Sequence, residues 1–217
     1  IVGIAGLMGA GRTELAKSIF GKAYGTKISG EILKDGKKLH IHTVKDAIKN
    51  GIAYLTEDRK EEGLILIHDI KFNISLSNLP RITNRLIVNN DAEIQECTKL
   101  RDAFRIKISS LYQKTRTLSG GNQQKVVISK WMFAGPEVLL LDEPTRGIDV
   151  GAKFEIYTTI NNLANEGKYI VMISSEMEEL IGICDRIYVM KEGRMVGEFT
   201  REDVSQEKIM RCILQSR

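Results

Sequence analysis

Val138-Leu-Leu-Leu-Asp-Glu-Pro-Thr-Arg-Gly-Ile-Asp149 is the stretch whose reading decides the fold. Four consecutive apolar residues ending in two acids and a proline fit a strand buried on both faces of a parallel sheet. Asp142 and Glu143 then emerge at its C-terminal edge, where open α/β sheets bind their ligands. Two adjacent acids at that edge suit a metal–nucleotide site: one can hold Mg²⁺ through water while its neighbour positions or deprotonates an attacking water. The same pair also suits a plain acidic turn after a core strand, so the rest of the chain must decide.

Working outward, Ile1 to Ala5 reads as a strand and runs directly into Gly6-Leu-Met-Gly9-Ala-Gly11-Arg12-Thr13. Glu14 to Phe20 has helical character and Gly21 is placed to end it. Strand, glycine turn and helix are the context a phosphate loop requires. The glycines let backbone N–H groups turn inward on phosphate oxygens, and the helix N-terminus adds its positive end. Arginine stands where that pattern expects lysine, and a purely structural strand-to-helix turn is the alternative.

Gly30 to Leu39, centred on Asp35-Gly36, reads as a hairpin. Thr43 to Lys49 is a short helix, Gly51 to Leu55 a strand, and Thr56 to Gly63 a charged connection at a sheet edge. From about Phe72 to Phe133 the pattern becomes mainly helical, an insertion in the α/β core. Within it lies Leu118-Ser119-Gly120-Gly121-Asn122-Gln123-Gln124-Lys125. A serine cap, two glycines and a helix start make a second anion-binding arrangement, because packing alone does not require them. Ala152 to Glu166 reads as a helix, Lys168 to Ile173 as a strand, Arg186 to Phe199 as a closing hairpin, and Ser205 as the cap of a last helix.

Composition narrows the classes. The chain has 217 residues, 42% hydrophobic and 28% charged, with 32 basic against 28 acidic residues for a net charge of +4. That balance, without a basic block, gives no case for a nucleic-acid partner. Cys97, Cys184 and Cys212 are distant and odd in number, which suggests reduced thiols. His40, His42 and His68 lack companion ligands for a metal. No run approaches the roughly 20 apolar residues needed to cross a bilayer, and no signal peptide is expected.

Three motifs in this order and separation make the chain similar to the ATP-binding cassette ATPases: Gly6 to Thr13, Leu118-Ser-Gly-Gly-Asn-Gln, and Val138-Leu-Leu-Leu-Asp-Glu-Pro-Thr. Glu57-Asp-Arg-Lys60, Thr145-Arg-Gly-Ile-Asp-Val-Gly-Ala-Lys153 and Ile173-Ser-Ser-Glu176 narrow the likeness. They resemble the second cassette of the double-cassette ATPase subunit of bacterial monosaccharide importers of the ribose, xylose and galactose type. The implied fold is α/β: a P-loop NTPase cassette over residues 1–217, with a RecA-like mostly parallel sheet, a partial antiparallel β layer and a helical subdomain at about 72–133.

The resemblance also implies the site. Gly6, Leu7, Met8, Gly9, Ala10, Gly11, Arg12, Thr13 and Glu14 would hold ATP. Ser119, Gly120, Gly121, Gln123 and Asp149 would serve nucleotide across a cassette pair. Thr13 and Asp142 would hold Mg²⁺, and Glu143 would be the general base. Glu57 replaces a glutamine and Ser175 a histidine of the family pattern, and Arg12 replaces the loop lysine. Arginine's planar fork is not equivalent to an ammonium nested among phosphates. The expectation is therefore a site that binds ATP with little hydrolysis.

Implied partners are the transmembrane permease subunits, a first cassette upstream of Ile1 in the same polypeptide and, indirectly, a periplasmic sugar-binding protein. The implied location is the cytoplasmic face of the bacterial inner membrane. The strands carrying the family's adenine-stacking aromatic would precede Ile1. Two other readings stand beside this one: a regulatory ATP clamp without chemistry, and a cassette ATPase of DNA repair or translation.

Overall fold

The structure, a computed structural model, describes residues 1–21 and 28–215. Strand β1 (Val2–Gly6) leads through the glycine turn into helix α1 (Arg12–Ile19). Strands β2 (Ile32–Lys34) and β3 (Lys37–Leu39) form a two-stranded antiparallel hairpin. Its turn residues Asp35 and Gly36 both have positive φ, the conformation of a tight two-residue hairpin turn. Helix α2 (Val44–Lys49) starts with a capping box in which the Thr43 hydroxyl and the Asp46 carboxylate each accept the other's backbone N–H. Strand β4 (Ile52–Leu55) follows, buried throughout.

A π-helical turn at Arg59–Gly63 precedes α3 (Ile70–Ser75), a 3₁₀ segment (Leu76–Ile82), and strands β5 (Thr83–Asn84) and β6 (Ile87–Val88). Helices α4 (Asn90–Ala103) and α5 (Gly120–Ala134) complete this region, and β7 (Val138–Asp142) returns to the sheet. The remainder is α6 (Val150–Asn165), β8 (Tyr169–Ile173), α7 (Met177–Ile183), the hairpin β9 (Arg186–Lys191) and β10 (Arg194–Thr200), and α8 (Gln206–Gln215).

The chain divides into two compact units. The first comprises residues 1–57, 137–144 and 161–217. It carries a six-stranded sheet in the order β10-β9-β1-β8-β7-β4, parallel except for the edge strand β10. Leu139, Leu140 and Leu141 sit between β4 and β8 and are 1–3% exposed, as a strand covered on both faces requires. Because β1, β4, β7 and β8 run parallel, their C-terminal ends share one edge. The glycine turn, Glu57, the Asp142–Glu143 pair and Ser174–Ser175 all follow strand ends at that edge.

The second unit comprises residues 58–136 and 145–160. Its core helix is α5, whose Val126, Val127, Ile128 and Phe133 are at most 2% exposed. The helix begins at Gly120, directly after the Ser119 cap, several residues before its apolar run. The hairpin β5–β6 interrupts a region expected to be mainly helical. Its turn uses Arg85 and Leu86 at positive φ without a glycine, so the usual turn signal is missing from the sequence. Helix α7 also goes beyond the sequence reading.

Trimming a buried side chain of β7 tests where the first unit keeps its core. Leu141→Ala should cost about 2–5 kcal/mol by leaving a cavity. Leu33→Ala, in the same unit at a position 62% exposed, should stay within about 0.5 kcal/mol. Chemical-denaturation midpoints of the two variants check this difference.

Candidate functional site

The glycine turn has backbone requirements that only glycine meets. A Cβ at Gly6 would stand 2.5 Å from the Met190 carbonyl oxygen and 3.1 Å from the Ala10 Cβ. Gly9 and Gly11 adopt φ of 77° and 97°. Gly11 caps α1 with no side-chain hydrogen bond, so the first turn of that helix keeps its N–H groups for something other than a cap. Ala10 is buried and its N–H closes a turn onto the Leu7 carbonyl at 3.0 Å, whereas Met8 is 90% exposed. Glu14 lies in the first turn of α1. This loop suits a phosphate-sized anion.

Arg12 is turned inward and is 7% exposed. Its Nη1 donates to the Ser174 carbonyl at 2.5 Å, and its Nη2 lies 3.6 Å from Glu143 Oε1. Glu143 adopts φ 47°, a left-handed conformation that a non-glycine residue holds only against a steric cost. Its backbone N–H is fixed by the Ile173 carbonyl at 2.9 Å, and its Oε2 accepts from the Ser175 hydroxyl at 3.1 Å. Burial pushes the Glu143 carboxyl above its ordinary pKa, with the Arg12 charge and the Ser175 hydroxyl opposing. A carboxyl of this kind is tuned toward proton exchange nearer neutrality.

Asp142 is fully buried. Its Oδ2 accepts from the Tyr54 hydroxyl at 2.8 Å, while Oδ1 has no hydrogen-bond partner. Burial raises its pKa as well; the Tyr54 and Thr13 hydroxyls oppose that shift, and the Glu57 charge adds to it. An orphaned carboxylate oxygen with the Thr13 hydroxyl nearby is a hard-oxygen pair suited to a divalent cation that keeps most of its waters. Thus Gly6 through Thr13, Glu57, Asp142, Glu143 and Ser175 belong to one unit and its one sheet edge.

The remaining sequence-derived residues fall in the second unit. Ser119 is exposed and caps α5, its hydroxyl accepting from Asn122 Nδ2 at 3.0 Å. A Cβ at Gly121 would stand 2.7 Å from the Ala152 Cβ. Gln123 is 5% exposed and its Nε2 donates inward to the Thr115 carbonyl at 3.4 Å. Asp149 is exposed and its Oδ1 accepts from the Ala152 N–H at 2.9 Å, at the start of α6.

One residue of this region escaped the sequence reading. Arg59 sits in the charged connection Thr56 to Gly63, yet it is only 9% exposed. Its guanidinium donates to the carbonyls of Arg146 at 2.5 Å and Gly147 at 3.1 Å. The flanking Asp58, Lys60, Glu61 and Glu62 are exposed and conceal it in a charge run.

Residues 1–146 match the ABC transporter family. The chain belongs to that family. Among curated ABC proteins it is 62% identical over 216 residues to the L-arabinose transport ATP-binding protein AraG of Geobacillus stearothermophilus, covering 100% of this chain and 42% of the relative. It is 56% identical over 212 residues to the xylose import ATP-binding protein XylG of Thermoanaerobacter pseudethanolicus, covering 98% and 42%. The chain thus spans under half the length of these relatives. The ABC fold is also seen in the ADP conformation of the cassette MJ1267, with a TM-score of 0.81, 18% identity, and coverage of 100% of this chain and 88% of that one. Among the described residues no helix is long and apolar enough to cross a membrane.

The raised Glu143 pKa gives a stability prediction. Ionising this carboxylate costs folding free energy, so a neutral replacement should stabilise the chain wherever the native group is charged. Glu143→Gln should melt higher than the native chain at pH 8. The gain should shrink as pH falls through the raised folded value and vanish below the ordinary value of 4.5, where both side chains are neutral. Thermal melts across pH 4–8 check this ~4-unit window.

Proposed function

We propose that this chain is the second nucleotide-binding cassette of a bacterial monosaccharide importer, and that its own site binds Mg-ATP with little hydrolysis. In this reading the glycine turn holds the phosphates, and Thr13 and Asp142 hold Mg²⁺. Bound Mg²⁺ would neutralise phosphate charge, as in other phosphoryl-transfer sites. The identity to arabinose and xylose import proteins supports the transport assignment. It also supports permease subunits as partners, a first cassette in the same polypeptide, indirect service to a periplasmic sugar-binding protein, and a place at the inner membrane's cytoplasmic face.

The observation that carries the weak-hydrolysis reading is the placement of Arg12. Its guanidinium is committed to the Ser174 carbonyl and to Glu143, the candidate base. A phosphate-loop cation engaged in this way is not presented as the compact point charge that lysine supplies. Ser175, bonded to Glu143, is too short to replace a histidine at a γ-phosphate. Glu57 adds negative charge beside Asp142.

Ser119, Gly120 and Gly121 would then act on nucleotide held by the partner cassette. The Ser119 hydroxyl, the glycine N–H groups and the N-terminus of α5 would face its γ-phosphate. Substituting Gly120 is a poor test, since a Cβ there would meet Arg59 Nη2 at 2.8 Å and the Gly147 carbonyl at 3.0 Å. Ser119→Ala introduces no new contact in the packed turn and removes only the hydroxyl that caps α5.

Two measurements test this function. Phosphate release by the isolated chain should remain near background, and several turnovers per second abolished by Glu143→Gln would contradict a weakly hydrolytic site. In the reconstituted importer, Ser119→Ala should lower ATPase activity by about a hundredfold to a thousandfold, the scale of losing a donor at developing charge. Arg12→Ala should lower it less. The reverse ranking would move the hydrolytic site to this chain's own glycine turn.

A further inference from the structure

Arg59 is a buried cation held by backbone carbonyls. The two acceptors belong to consecutive residues, Arg146 and Gly147, in the segment between β7 and α6. The same Nη2 that bonds the Gly147 carbonyl would stand 2.8 Å from a Cβ at Gly120. The Gly147 carbonyl itself would stand 3.0 Å from that Cβ. Gly120 is therefore the point where three pieces of chain meet: the turn after Asp58, the start of α5, and the loop before α6. All three lie in the second unit.

The turn that presents Arg59 is built for the purpose. The Asp58 carboxylate accepts the backbone N–H groups of Lys60 and Glu61 at 2.8 and 3.1 Å, which fixes the backbone on either side of Arg59. Gly147 adopts φ 64°, the left-handed region where glycine carries no steric cost. Arg59 Nε is buried without a hydrogen-bond partner. Burial lowers the arginine's pKa, with the Asp58 charge opposing. A guanidinium held under these conditions has a geometric task, because its planar fork sets two donor nitrogens at a fixed spacing against two neighbouring carbonyls, which the single nitrogen of an ammonium does not.

We propose that Arg59 is a positioning residue that locks the Ser119–Gly121 turn and the Arg146–Asp149 loop into one rigid element, with the Ser119 hydroxyl at one end and the Asp149 carboxylate at the other. Ser119 and Asp149 are both exposed, so the element sets the spacing of two polar groups offered to whatever closes over them. The rigidity holds for the chain by itself. Its use in setting the partner cassette's nucleotide contacts rests on the function proposed above.

Arg59→Lys keeps the charge and loses the fork. Hydrogen exchange of the 217-residue chain followed by mass spectrometry reads the lock directly. Peptides covering 118–122 and 145–149 should both exchange about tenfold faster in the variant, equivalent to about 1.4 kcal/mol of lost local protection, while α4 remains unchanged. Acceleration in only one of the two segments, in neither, or uniformly across the unit would overturn the lock.

In the reconstituted importer, Arg59→Lys should lower kcat about tenfold with the KM for ATP unchanged, since the contact it aligns acts on the reacting phosphate rather than on binding. If Ser119→Ala lowers turnover while Arg59→Lys leaves kcat intact, the positioning role is wrong and the function stands. If Ser119→Ala has no effect and exchange still rises in both segments, the lock stands and the cross-cassette function fails.

Discussion

Two carboxylates at the end of a buried strand set the terms for the first unit. Asp142 and Glu143 follow three leucines that are almost wholly shielded from water, and burial works against the charge of both acids. A carboxylate in that position persists only with specific partners. Tyr54 from β4 bonds one oxygen of Asp142, and Ser175 after β8 bonds Glu143, so the neighbouring parallel strands supply the compensation. Arg12, from the helix after β1, adds a cation beside Glu143. The sheet order β1-β8-β7-β4 is what makes these partners available.

The arrangement also explains why the phosphate-loop substitution has consequences beyond the loop. Lysine and arginine carry the same charge, but arginine's fork can bond the Ser174 carbonyl while facing Glu143. The candidate base thereby has Arg12 beside one carboxylate oxygen at 3.6 Å and a hydrogen bond from Ser175 to the other at 3.1 Å. A change at any one of them alters the electrostatics of the others. Of the departures from the general cassette pattern, those at Arg12 and Ser175 meet at Glu143.

The second unit solves a different problem, that of fixing a glycine turn beneath the exposed Ser119. Gly120 and Gly121 leave no room for a side chain because Arg59, the Gly147 carbonyl and Ala152 stand against them. Glycines which in the sequence suggested only access to a phosphate are therefore also packing glycines. The packing is compatible with the proposed phosphate contact, since a turn offering N–H groups and a serine hydroxyl would benefit from a fixed backbone beneath them.

Much was legible in the sequence where local chemistry suffices. The apolar run Val138–Leu141 identifies a doubly buried strand, Gly6 to Thr13 a glycine turn between strand and helix, Asp35-Gly36 a hairpin, and Ser119 a helix cap; each follows from side-chain shape or hydrogen-bonding capacity within a few residues. The ordered motifs were enough to indicate the cassette fold. The sequence could not show that Arg12 turns inward, that Gln123 faces the interior, or that Arg59 is buried inside a charge run. Nor could it show the hairpin at Thr83–Val88, whose turn lacks glycine. These outcomes depend on which carbonyl or carboxylate lies near a long side chain, and such partners are as far as 162 residues away in sequence. Sequence determines what a guanidinium can bond; tertiary packing decides which acceptors it meets, because only packing removes the water that would otherwise satisfy it.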